Sequence, residues 1–308
     1  MSVPVVDLGA DRTEVLRGLD DAYGRLGFAS IVGHGVPTGI VESLFAASTA
    51  FHSLPLASKL AVELDRNHRG YIPIAVSTDR ASSVEAATAP NRSASFMMMR
   101  EDAADSDEVA AGTYLAGPNR WPDLHGFRSA VETYHGALLP VARHVVDLFA
   151  DLLGDADGVF RRAFATPTTW LRLLHYPPAD PDVDGYGSAP HRDFGCITLL
   201  AQDDVGGLEV LTPGGEWLDV PAQPGALVMN VGDMLHRWSG GRLLSTPHRV
   251  VSRARERYSA AFFFDPHMAT VVEPLPSCVG VDGPAFAPVE FGSFVRSQLE
   301  ATYDRHAG

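Results

Sequence analysis

The sequence has 308 residues, 45% hydrophobic and 20% charged, enough apolar material for a large buried core. Length alone suggests about two domains, although all-β barrels and sandwiches beyond about 200 residues also fold as one unit. A formal net charge of −14 argues against nucleic acid and anionic membrane as partners, because both are gripped through basic patches. Cys196 and Cys278 form neither a disulfide framework nor a zinc-type spacing, which suits a reducing compartment. The opening "MSVPVVDLGAD" lacks a basic n-region and an apolar h-region, and no apolar run approaches membrane-spanning length. These features predict a cytoplasmic protein, a monomer or weak homo-oligomer, with neither nucleic-acid nor membrane partners.

In chain order, "VPVVDL" predicts a strand and "TEVLRGLDDAYGRLG" a helix. Val15, Leu16, Leu19, Tyr23 and Leu26 share one helical face, and Gly27 supplies the left-handed stop. "FASIVGHGV" follows as a strand ending in a glycine turn. The segment 76–95 is polar and weakly patterned, which predicts a loop, and "SFMMMRED" after it predicts a strand. From about 123 to 153 an unbroken apolar stripe (Phe127, Val131, Tyr134, Leu138, Val141, Val145, Leu148, Leu152) predicts a long helix. From 168 onward, "TTWLRLLHYP", "CITLLAQ", "GLEVLT", "EWLDVP", "ALVMNVG", "RVVS" and "RYSAAFFF" are short runs separated by Gly, Pro or Asn, the pattern of an antiparallel sandwich or barrel. "LTPGGEW" predicts a hairpin turn, and "VEFGSFVRSQLEATYD" a C-terminal helix. The expected organisation is an N-terminal region of helices and strands (1–120), the long helix with a β-core (121–270), and a C-terminal segment (271–308), packed as one compact α+β unit.

Within this pattern "APHRDFG" stands out. Residues i and i+2 of a strand share a face, so His191 and Asp193 can present an imidazole and a carboxylate to one point. Such a mixed nitrogen–oxygen pair suits Fe(II) rather than a closed structural zinc site. His248 in "STPHRVVS" is the candidate third ligand, two hairpins further on. Of the other histidines, His175 and His236 are the strongest competitors. Arg257 and Ser259, again i and i+2, can offer a guanidinium fork and a hydroxyl to a carboxylate. The competing expectation is a surface ion pair of Arg257 with Glu256 or Asp265.

In this order and spacing the residues resemble the Fe(II)/2-oxoglutarate-dependent oxygenase superfamily, in the branch that includes isopenicillin N synthase. The resemblance runs nearly end to end, through "GFASIVGHGVP", "RGYIP", "GPNRWP" and "LLHYPP" to "GDMLHRWSGGRLLSTPHRV" and "RYS". It departs at Gly33, where the family usually has Asn, and at Leu174, where an Asn often precedes the tyrosine by two residues. The resemblance implies a double-stranded β-helix (jelly-roll) core with flanking helices. It implies Fe(II) on His191, Asp193 and His248, and 2-oxoglutarate on Arg257 and Ser259 with Tyr176 as a further contact. It also implies dioxygen as oxidant, ascorbate as an optional stimulant, and succinate and CO2 as coupled products, with hydroxylation the default outcome.

The expected substrate is a small metabolite, and the Ala-, Gly-, Arg- and Asp-rich composition fits natural-product biosynthesis in a GC-rich bacterium. Period-two continuation from Ser259 places Ala261, Phe263 and Asp265 on the same interior face. The resemblance implies Phe263 as a pocket residue, with Tyr71, Met97 and Met99 as further candidates from N-terminal segments that line the cavity in relatives. Arg192 points away from iron by alternation, and either forms an outward ion pair or meets a substrate carboxylate at the cavity mouth. Two alternatives stay open at this level. One is an oxidase like isopenicillin N synthase that uses no 2-oxoglutarate; the other is a non-catalytic metal-binding jelly-roll sensor.

Overall fold

The computed structural model describes residues 2–78, 89–179 and 185–302. Its N-terminal half runs β1 (Val5–Asp7), α1 (Arg12–Arg25), β2 (Phe28–Val32), α2 (Thr38–His52), α3 (Leu56–Leu60), β3 (Gly70–Ile72), β4 (Ala94–Met99), α4 (Asp107–Ala110), α5 (Phe127–Leu153) and α6 (Val159–Ala163). The remainder runs β5 (Thr168–Tyr176), β6 (Tyr186–His191), β7 (Ile197–Gln202), β8 (Leu208–Leu211), β9 (Trp217–Asp219), β10 (Leu227–Val231), α7 (Asp233–Trp238), β11 (His248–Val251), β12 (Arg257–Asp265), β13 (Val271–Val272), β14 (Val289–Glu290) and α8 (Phe291–Thr302). Residues 79–88 of the expected 76–95 loop lie outside the described residues.

Two facing sheets form the jelly roll. The major sheet has the order β1-β2-β10-β7-β12-β5-β4-β3 and the minor sheet β6-β11-β8-β9. The expected β-core supplies the centre of the major sheet, and the N-terminal strands extend it at both edges. β1 and β2 pair there in parallel, and β3 and β4 continue from β5 in antiparallel.

Alternation along β12 sorts its side chains between two environments. Tyr258, Phe262 and Phe264 face the helix layer, where Phe262 meets His135 of α5 and Phe264 stacks on Phe164. Arg257, Ser259, Ala261 and Phe263 face the space between the sheets. α5 buries the expected stripe from Phe127 to Leu148, while Leu152 is only partly buried.

α1 starts where Asp11 accepts a hydrogen bond from the Thr13 amide (2.9 Å), a helix N-cap. It stops at Gly27, whose φ of 74° is left-handed. A Cβ there would meet the Leu244 carbonyl oxygen at 2.3 Å. Gly27→Ala is therefore expected to lower stability by about 2 kcal/mol or more, because left-handed backbone alone costs a residue with a Cβ roughly 1–2 kcal/mol. The denaturation midpoint of the variant against wild type measures this. Gly33, which departs from the family's usual Asn, also has left-handed backbone (φ 64°), and a Cβ would fall 1.9 Å from Oδ1 of Asp7.

Candidate active site

β6 ends on His191 and β11 begins on His248, and these residues are cross-strand partners. The ring Nδ1 of each faces a carbonyl oxygen two residues earlier: Ala189 at 2.7 Å for His191, Thr246 at 3.3 Å for His248. A carbonyl can only accept, so Nδ1 carries a proton in both rings, which leaves Nε2 as the atom turned toward Asp193. Both Nε2 atoms lie 3.8 Å from Oδ1 of Asp193, and the three ligand atoms lie within 4.8 Å of one another.

Asp193 is placed differently from the sequence expectation. The sequence reading sets both residues on one face of a single strand; instead His191 closes β6 and Asp193 sits in the turn before β7. Convergence therefore comes from the turn rather than from strand pleating. The turn is pinned to the start of α7, where the amides of Asp233 and Met234 donate to the carbonyls of Asp193 and Gly195 (both 2.9 Å).

The second carboxylate oxygen of Asp193 accepts from Thr198 Oγ1 (2.5 Å) and Asn230 Nδ2 (2.6 Å). Burial pushes this carboxyl upward, but the His248 and His191 imidazoles and these two donors outweigh it and hold the group below its ordinary range. An ionised carboxylate and two imidazole Nε2 atoms, each group oriented by its other polar atom, form a donor set that fits a divalent first-row metal such as Fe(II). Asn230→Leu is expected to weaken Fe(II) binding by about 10–100-fold, the usual cost of losing an outer partner of a ligand. Metal titration of the variant is the check, and wild-type affinity would show that Asp193 needs no such orientation.

Arg257 fits the second part of the site. It is 1% exposed, and its guanidinium lies over the Tyr176 ring with the centroid 4.7 Å away. Its terminal nitrogens donate to Ser259 Oγ (3.2 Å) and Gln202 Oε1 (3.1 Å), and its buried Nε has no partner. The expected competitors are engaged elsewhere: Glu256 with His175 (2.7 Å), Asp265 with the Cys196 amide (2.6 Å). Among the described residues no carboxylate pairs with Arg257. A buried cation held only by neutral groups is costly, and a carboxylate from a ligand would satisfy it. His175 and His236 are committed away from the metal site, His236 to the Leu243 carbonyl (2.6 Å).

The 2OG-Fe(II) oxygenase superfamily model matches residues 167–266, and the model described as non-haem dioxygenase in morphine synthesis N-terminal matches residues 3–124. The chain is 33% identical to the 2-oxoglutarate-Fe(II) type oxidoreductase hxnY of Emericella nidulans, covering 96% of this chain and 87% of that protein. The chain belongs to the 2OG-Fe(II) oxygenase superfamily. The oxygenase is also 32% identical to clavatol oxidase claD of Penicillium crustosum, over 98% of this chain and 96% of the other. Among solved structures it resembles a full-length Neurospora crassa protein in complex with alpha-KG and thymine (TM-score 0.82, 27% identity, 97% and 96% of the two chains). A 2OG-Fe(II) oxygenase family protein from Caulobacter crescentus is equally similar (TM-score 0.82, 28% identity, 97% and 98%). The oxygenase is thus an oxidoreductase that uses Fe(II) and 2-oxoglutarate, and the triad and the buried Arg257, held only by neutral groups, fit the two in turn.

Two adjoining cavities border the triad and share His191 and Asp193 in their walls. A chamber of about 80 Å³ reaches Tyr176, Arg257 and Ser259, and Leu174 lines it where relatives often have Asn. A second cavity of about 120 Å³ extends to Phe194, Asp265 and two residues of α8, Val295 and Leu299. Phe263 borders both, and Met97 lines the outer one. Arg192 lines the outer cavity too, the second of the two placements expected for it. Its Nε donates to the Ser245 carbonyl (2.8 Å), and its charge acts on Asp233.

Tyr71 and Met99 are not on these walls. Tyr71 is opposite Phe96 in the β3–β4 register, and both pack on Phe51 of α2, so Tyr71 belongs to the helix side of the sheet. Met99 lies two residues past Met97, beyond the end of the cavity. Its amide and carbonyl are held by the side-chain amide of Asn119 (2.9 and 2.8 Å), which explains what "GPNRWP" does structurally.

Proposed function

We propose that the oxygenase hydroxylates a small-molecule metabolite in a natural-product pathway, with release of succinate and CO2. His191, Asp193 and His248 hold Fe(II), while Arg257 and Ser259 bind the distal carboxylate of 2-oxoglutarate beside Tyr176. The observation that carries this reading is the buried Arg257 guanidinium, which lacks an anionic partner in the chamber that also contains the triad. When bound, Fe(II) and 2-oxoglutarate supply the oxidising power that activates dioxygen and removes a substrate hydrogen.

The chain's own contribution is positional and electrostatic. Thr198 and Asn230 keep one oxygen of Asp193 occupied and turn the other toward the two imidazoles. Gln202 and Ser259 fix the Arg257 fork, and Tyr176 covers its face. Phe263 and Leu174 form apolar wall next to the ligands and restrict water there. Small-molecule scale is supported by the cavity and by the thymine bound in the similar Neurospora crassa structure.

The test is an anaerobically reconstituted Fe(II) enzyme supplied with 2-oxoglutarate, dioxygen and a screen of single-ring metabolites. A substrate should make succinate release stoichiometric with a product carrying one more oxygen. A product two hydrogens lighter, with no added oxygen, would replace hydroxylation with desaturation or ring closure.

A further inference from the structure

The outer cavity contains a guanidinium that the iron and co-substrate roles leave unused. Arg172 of β5 borders both the co-substrate chamber and the outer cavity. In the sheet it lies between Met97 of β4 and Ala261 of β12. Its Nε donates to Ser95 Oγ (2.9 Å), a hydroxyl on a fully buried residue, and this contact sets the plane of the guanidinium. Among the described residues, neither terminal nitrogen meets an acceptor, and no carboxylate pairs with the group.

The nearby charges have other duties. Asp193 faces the imidazoles. Asp265 accepts from the Cys196 amide, and burial pushes its carboxyl up to about 7, so near neutrality it is only partly charged. Arg192 is tied to the Ser245 carbonyl and sits in the field of Asp233. Arg172 therefore offers two parallel N–H groups toward a space whose other walls are largely apolar: Trp170, Met97, Phe194, Phe263, Val295 and Leu299. A forked donor beside an apolar enclosure matches a carboxylate carried on an apolar body. The cavity of about 120 Å³ is on the scale of one that encloses a single benzene ring.

We propose that Arg172 is the substrate anchor, and that the oxygenase acts on a carboxylic acid with a single-ring or similarly small apolar body. The carboxylate lies on Arg172, and the body lies against Phe263 and the inner face of α8. This rests on reading the outer cavity as the substrate site of the enzyme proposed above.

The probes are benzoate and its neutral isostere benzamide, titrated calorimetrically into the enzyme loaded with Fe(II) and 2-oxoglutarate without oxygen. Preloading keeps benzoate off Arg257. Wild type should bind benzoate at least roughly tenfold more tightly than benzamide, the scale of a charge-assisted contact. Arg172→Gln should erase that preference, and Arg172→Lys, which keeps the charge but not the fork, should restore part of it. Equal binding of the two probes by wild type would overturn the proposal even if neither variant folds. So would a preference that survives in Arg172→Gln. The same preparations are titrated with 2-oxoglutarate. Failure of wild type to bind it would implicate the Arg257 assignment, whereas normal 2-oxoglutarate binding with no preference for benzoate would remove only Arg172.

Discussion

Replacing Asp193 with alanine is expected to leave the oxygenase unable to retain Fe(II) and without dioxygen-dependent consumption of 2-oxoglutarate. The residue supplies the only carboxylate of the triad, and its Oδ1 is equidistant from both imidazole Nε2 atoms at 3.8 Å. Without it, two neutral nitrogen ligands remain to balance a doubly charged ion. The donors of Thr198 and Asn230, now aimed at Oδ2 of Asp193, would lose their acceptor in a buried site. Loss of an outer partner typically lowers metal affinity about 10–100-fold, so loss of the ligand itself should exceed roughly 100-fold. Metal content after dialysis and Fe(II) titration are the measurements. A variant that holds one equivalent of Fe(II) at wild-type affinity would remove Asp193 from the ligand set.

Arg257→Gln is expected to raise the 2-oxoglutarate requirement at least tenfold, since a hydrogen bond to a charged group is worth roughly 1.5–3 kcal/mol. The ligand-free variant should be no less stable than wild type, because a buried guanidinium without an anion is itself unfavourable. The distinguishing readout is thermal: 2-oxoglutarate should raise the melting temperature of wild type and leave that of the variant almost unmoved. An unchanged KM for 2-oxoglutarate, or an undiminished thermal shift, would take Arg257 out of the role. A variant that merely misfolds would instead melt early with or without the ligand.

The candidate site was legible in the sequence where its chemistry is local. His191 with Asp193, and Arg257 with Ser259, are each two residues apart, so short-range geometry brings each pair together. Thr198, Gln202 and Asn230 escaped notice because they arrive from β7 and β10, and only the sheet register sets them beside Asp193 and Arg257. A signal existed: Thr198 and Gln202 occupy alternate positions of "ITLLAQ", and Asn230 interrupts the apolar run "LVMNV". Polar residues on the inward phase of a buried strand need partners. Tyr71 and Met99 erred for the converse reason. The strand of Met99 does border the outer cavity through Met97, but the cavity stops short of Met99, while Tyr71 lies on a strand farther out in the sheet whose phase turns it to the helix side. α2 went unread because Pro37 precedes it without a side-chain cap and the sequence 38–52 shows little amphipathic contrast.

The two-sided character of β12 also bears on how this enzyme can change. Its outward phenylalanines are committed to the helix layer, and its first two inward positions to Arg257 and Ser259. A single-residue insertion or deletion within the strand would exchange the two faces, moving the guanidinium into the core and a phenylalanine into the chamber. Point substitutions at Ala261 and Phe263, by contrast, alter the shape of the chamber beside the triad and leave the contacts of the outward phenylalanines in place. The strand is therefore fixed in length but permissive in composition at two positions. Divergence toward new substrates should accumulate there and in α8, while changes in chain length are confined to the turns.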